Sequence, residues 1–95
     1  MNIGSAIKQI RKQKGLSQKD LAEKCNLSVN ALCQIETNSA FPQKSTIKSV
    51  CDALEIPSSY LLFFSISDED IPADKRKIFN ALSGTIKELL VEDLK

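Results

Sequence analysis

The side chains best suited to reading the edge of another molecule are the amides of Asn30 and Gln34. They stand four residues apart, so on a helix they share one face. A carboxamide donates and accepts at once, as the major-groove edge of adenine requires. Val29 beside them offers methyl groups that suit a thymine methyl. The chain holds little other chemistry. It has no histidine, and Cys25, Cys33 and Cys51 show no CxxC spacing, so no zinc set is indicated. The odd cysteine count does not suit a disulfide framework, and Cys25 and Cys51 read as small apolar core residues. Cys33 is expected to point outward, with a redox role left open, but it lacks a histidine to activate it as a nucleophile. There is no Gly-rich phosphate loop. These absences argue against an enzyme and imply neither a cofactor nor a metal.

For Asn30 and Gln34 to face outward together, a short helix must hold them, and its neighbours must bury the opposite face. Ser28 is a good N-cap for that helix, and Leu32 and Ile35 form its inner side. Leu27, just before the cap, can staple onto Leu32. A preceding helix is capped by Ser17, with Asp20 three residues on favouring the positive helix end. Leu21, Ala22 and Cys25 make its inner face, and Asn26 stops it because Asn tolerates the left-handed conformation. The first helix runs from about Ile3 to Lys14, with Ile3, Ala6, Ile7 and Ile10 inward and Gly15 as a natural stop. After a loop at Asn38–Gln43 comes a fourth helix, about Lys44–Leu54, burying Ile47, Val50, Cys51 and Leu54. Pro57 suits the first turn of a fifth, where Tyr60, Leu61 and Phe64 are apolar. Two short helices joined by a three-residue turn, with further helices around them, make a helix-turn-helix layout from about Gln18 to Thr37.

The acidic stretch SISDEDIPAD follows, without periodicity, and reads as a linker. The last helix pattern, about Ala73–Leu94, carries Phe79, Leu82, Ile86 and Leu89 at 3-4-3 spacing, a seam suited to a second helix. Ile78 and Leu90 widen that stripe, and Gly84 weakens its middle by about 1 kcal/mol relative to Ala. The expected organisation is therefore all-α: a five-helix helix-turn-helix domain over residues 1–64, an acidic linker over 65–74 and one C-terminal amphipathic helix within 75–95.

A 95-residue chain with 42% hydrophobic residues fits one folded domain, and its 5% aromatic content leaves the core to aliphatic side chains. A net charge of +1 is low for a partner of polyanions, but the charge is unevenly placed. Residues 1–64 carry eight Lys/Arg against five Asp/Glu, or +3, and residues 65–95 carry five against seven, or −2. Lys8, Arg11, Lys12 and Lys14 make the N-terminal part the better anionic-ligand surface. No run reaches the about 18 apolar residues of a membrane span. The start, MNIGSAIKQIRK, lacks the apolar stretch of a signal sequence, so the chain reads as cytoplasmic, with no membrane partner.

The runs IKQIRKQKGLSQKDLAEK, LSVNALCQIE and DALEIPSSYLL resemble the Cro and phage-repressor, or Xre, type of helix-turn-helix domain over about residues 3–64. Gln18, Ala22, Leu32, Ile35 and Glu36 carry the likeness by their combined spacing. The resemblance implies double-stranded DNA as partner, with base reading by Val29, Asn30 and Gln34 and a backbone-phosphate clamp at Gln18. Lys19, Ser28, Asn38, Ser39 and Lys44 are weaker phosphate candidates. It also implies a partly buried ion pair between Arg11 and Glu36, a scaffold role rather than a DNA contact.

Three positions depart from the pattern. Asn26 stands where Gly is preferred, Thr37-Asn38 replaces an Asn-Gly pair, and Lys44 occupies an often apolar position, a gap that Phe41 is expected to fill. The resemblance further implies a transcriptional regulator, a repressor, acting as a homodimer on a pseudo-palindromic operator, with Phe79, Leu82, Ile86 and Leu89 as the dimer seam. Fold-back of that stripe onto its own domain stays open. So does the choice among restriction–modification controller, antitoxin and phage or plasmid repressor. The alternative reading is a protein-interaction module, or an antitoxin-like protein that binds a toxin or other protein, with weak or no independent DNA binding.

Overall fold

The computed structural model describes residues 1–94. They form six α-helices: α1 Ile3–Gln13, α2 Gln18–Cys25, α3 Val29–Glu36, α4 Lys44–Leu54, α5 Ser58–Ser65 and α6 Arg76–Leu94. No strand occurs among the described residues, and none of the helices is long and apolar enough to cross a membrane.

One device ends each of the first four helices. A residue one or two positions past the helix turns left-handed, and two crossed amide bonds return to the last turn. At α1 the residue is Gly15 (φ 72°), with Leu16 N donating to Arg11 O and Gly15 N to Lys12 O. At α2 it is Asn26 (φ 59°), at α3 Asn38 (φ 63°) and at α4 Glu55 (φ 57°). The helix starts are also secured. Ser17 and Asp20 exchange bonds between side chain and backbone at α2, and Ser28 Oγ accepts from Ala31 N at α3. Those bonds to Ser17 hold the Asp20 carboxyl below its ordinary pKa, its backbone amide contributing most.

Ile7, Ile10, Leu21, Leu32, Val50, Leu54 and Leu61 are sealed from solvent at the centre. They come from α1 to α5 and sit where the helical spacing places them. α1 packs against α3, α5 and α6, and α2 packs against α3 and α4. Cys25 and Cys51 are buried at the α2–α4 contact, and burial pushes both thiols upward in pKa.

The expected open linker is more ordered than its sequence suggests. Asp68–Asp70 and Ala73–Lys75 each form a 3-10 turn, and Arg76 Nε bonds the Asp68 and Ile71 carbonyls. The Met1 ammonium pairs with Asp70 at 2.9 Å, and Asn2 N donates to Ser65 O. α6 then returns along the domain. Ser83 and Leu94 are buried, Phe79, Lys87, Leu90 and Val91 are half-buried, and Asp93 accepts a 2.8 Å bond from the Tyr60 hydroxyl of α5.

Candidate nucleic-acid interface

Leu32, Ile35 and Glu36 turn inward from α3. That leaves Val29, at 45% exposure, and the exposed Asn30 and Gln34 on its outer side. Cys33 is half-buried rather than outward, because its helical position lies at the margin of the buried face.

What fixes α3 is a carboxylate at its last turn. Glu36, with a side chain only 1% exposed, receives a two-pronged bond from Arg11: Nε to Oε2 at 2.8 Å and Nη2 to Oε1 at 3.0 Å. The third guanidinium nitrogen, Nη1, donates to the Leu16 carbonyl at 2.8 Å. Gln18 Nε2 adds a bond to Glu36 Oε1 at 3.1 Å. One acid thus binds α1, α2 and α3 together, and the pair is deeper than the partial burial foreseen for it. A planar fork matched to a carboxylate is what makes such a buried charge tolerable.

A second lock was not read in the sequence. A Cβ on Gly4 would collide with the Ile35 carbonyl oxygen and lie 2.7 Å from Asn38 Oδ1. Only glycine lets the start of α1 meet the end of α3 this closely. The available hint was a glycine in the first helical turn, a residue that costs about 1 kcal/mol there without some other use.

The phosphate candidates fall into two groups. Gln18, half-buried, and exposed Lys19 open α2, and Ser28 caps α3. Asn38, Ser39 and Lys44, all exposed, belong to the α3–α4 loop and the start of α4. Four of them have duties within the protein: Gln18 braces Glu36, Asn38 Nδ2 donates to Ser5 Oγ at 3.4 Å, Ser28 caps α3, and the Ser39 hydroxyl lies 3.1 Å from that of Thr37. The Ser28 hydroxyl proton is not used by its capping bond. Phe41 does not fill the gap beside Lys44. It stands 76% exposed, and the loop buries Pro42 instead.

A helix-turn-helix family model matches residues 7–61, which contain α2, α3, Arg11 and Glu36 and leave Gly4 and Ser5 just outside. The chain belongs to the helix-turn-helix family. Its type is that of the Xre and phage repressors. It is 36% identical over 81 residues to an immunity repressor protein of Bacillus phage phi105, covering 85% of this chain and 54% of that one. It is 29% identical over 94 residues to the HTH-type transcriptional regulator ImmR of Bacillus subtilis, covering 98% of this chain and 72% of the regulator. Multiprotein-bridging factor 1 of Debaryomyces hansenii is 39% identical over 56 residues, 59% of this chain and 37% of its own length. The chain therefore spans about half the length of the phage repressor it matches. No solved structure matches it.

The four residues foreseen as a dimer seam do not lie on one kind of surface. Leu82, Ile86 and Leu89 are 61%, 43% and 62% exposed, and Ile78 joins them at 61%. Phe79 is half-buried on the flank. The helix does fold back, but through another face, formed by Ser83, Lys87, Leu90, Val91 and Leu94.

Proposed function

We propose that this helix-turn-helix protein is a sequence-specific transcriptional repressor of the cytoplasm that binds double-stranded DNA as a homodimer. The observation that carries this reading is the outer face of α3. Two exposed amides and a valine stand on a helix that is immobilised from behind by Glu36 and Gly4. A plain solvated face would favour Lys and Glu, which cost nothing in water. Amides held at fixed register instead match base edges. In this reading Asn30 and Gln34 bond bases and Val29 meets a thymine methyl. Gln18, Lys19, Ser28, Asn38, Ser39 and Lys44 position the domain on phosphates, Gln18 through its second amide proton and backbone N–H.

One such helix reads only a few base pairs. Two copies about 34–36 Å apart would read a pseudo-palindrome on one DNA face. The exposed row Ile78, Leu82, Ile86 and Leu89 supplies the surface for the second copy. Because α6 is also packed onto α1 and tied to Tyr60, a dimer made there would hold its two reading helices at a set spacing.

Selection of bound sites from random duplexes, with the mass of the complex measured in solution, tests the whole reading. A symmetric site and a two-to-one complex are expected, and Asn30→Ala and Gln34→Ala should each lose sequence preference. Full affinity with unchanged preference in both variants would defeat the readout assignment. If no duplex is retained at any salt concentration, the protein-interaction reading takes its place.

A further inference from the structure

Phe41 is the most exposed large apolar side chain among the described residues, and it borders an open cleft shared with Met1, Ile3, Gly4 and Asn38. Its loop, however, is tightly placed. Ser39 N and Ala40 N both donate to the Gln34 carbonyl, at 2.9 and 3.1 Å, and Thr37 Oγ1 bonds the same oxygen at 3.2 Å. The backbone just before Phe41 is thus anchored to the residue whose side chain is assigned to base reading. In sequence it lies between Ser39 and Lys44, both exposed and both assigned to phosphate.

An apolar ring left three-quarters in water at that place adds little to the stability of the free protein. On a duplex, the apolar surface between successive phosphates is the deoxyribose. We propose that Phe41 packs against a deoxyribose of the strand flanking the bases read by α3, adding affinity that depends neither on sequence nor on salt. This rests on the DNA-binding reading above. It goes further by placing an uncharged contact among the phosphate contacts of the α3–α4 loop.

The test compares Phe41→Ala, Phe41→Leu and Lys44→Ala with the parent protein. The probes are a duplex selected from random sequence and an unrelated duplex, each titrated across salt concentrations. Phe41→Ala should weaken binding to both duplexes on the order of ten-fold, the size expected for burying much of one aromatic side chain. Phe41→Leu should fall between Phe41→Ala and the parent. The salt slope should be unchanged in both, because no counterion is displaced by a ring. Lys44→Ala should instead reduce that slope by about one. Thermal unfolding and solution mass should stay at the parent values in the Phe41 variants.

Unchanged affinity in Phe41→Ala overturns the proposal. So does a loss confined to the selected duplex, which would make Phe41 a base reader, or a loss that accompanies a change in solution mass. Failure of the parent protein to bind either duplex overturns the DNA reading and this proposal together. Parent binding with Phe41→Ala unaffected overturns this one alone.

Discussion

The two ends of the chain treat their side chains differently. Behind α3, the buried polar groups are paired and the apolar ones covered, while Val29, Asn30 and Gln34 stand exposed on its outer face: Glu36 holds Arg11 and Gln18, Ser17 and Ser28 cap their helices, and Leu32 is sealed. Along α6, four large apolar residues remain in the open although the helix already covers its own domain with another face. The first region is complete by itself, so its shape follows from contacts within one chain. The second has apolar surface to spare, and contiguous patches of that kind mark interaction sites. The face proposed to read bases is therefore held by contacts within one chain, whereas the exposed row on α6 is the surface left for the proposed second copy.

The most severe challenge to this contrast is to remove the surplus. Leu82→Glu combined with Leu89→Glu should leave the single chain folded, since both side chains are more than half exposed in it, while the unfolding midpoint loses only the concentration-dependent part that association supplies. It should reduce the solution mass to that of one chain. Operator affinity should then fall by about 10²–10⁴, the usual gain from joining two binding units. An unaltered mass and affinity would remove α6 as the dimer seam.

The complementary challenge breaks the complete region. Glu36→Ala leaves the Arg11 guanidinium buried with neither of its carboxylate bonds, and such a stranded charge costs about 3–5 kcal/mol in denaturant unfolding. Replacing both partners, with Arg11→Met and Glu36→Leu, should recover most of that loss. A loss below about 1 kcal/mol in the single variant would place the pair among weak surface bridges.

Gly4→Ala sets two effects against each other. Helix propensity favours Ala by up to about 1 kcal/mol. The new methyl meets the backbone carbonyl of Ile35, which cannot rotate away, and overpacking of that kind costs about 1–3 kcal/mol. The net expectation is a loss of stability, together with poorer sequence discrimination as α3 shifts. A gain in stability would mean that the α1–α3 contact is slack.

These tests separate what was legible in the sequence from what was not. The helices, the stops at Gly15 and Asn26, and the caps at Ser17 and Ser28 rest on local chemistry that a linear reading captures. Placing Arg11 beside Glu36 needed the family likeness, because nothing local links residues 25 positions apart. Gly4 needed the third dimension: its reason is a carbonyl on another helix. Phe41 is expected to fill the gap that Lys44 leaves at an often apolar position, but the loop geometry buries Pro42 instead. The stripe on α6 was read as one seam. A helical wheel shows which side chains are neighbours but not which sector α1 will cover. Its apolar arc is wide enough for two faces, and the chain uses both.

Glu55 supplies the smallest test, and a control for the others. It holds the left-handed position after α4 with φ 57° and ψ 45°, the role taken by Gly15 and by two asparagines at the other helix ends. Its β-carbon makes that conformation cost about 1–2 kcal/mol, more than for Asn, whose short side chain eases it. Glu55→Gly removes this strain, while the freer unfolded chain returns about 0.5–1 kcal/mol of the gain. The expected result is a stabilisation of about 0.5–1 kcal/mol in chemical unfolding, with DNA affinity and solution mass unchanged. Asn26→Gly should gain less. If Glu55→Gly instead loses stability, the Glu55 carboxylate has a favourable role that outweighs backbone strain. If it gains stability but changes solution mass, the α4–α5 corner takes part in assembly, and the division between a self-contained reading unit and an assembling α6 no longer holds.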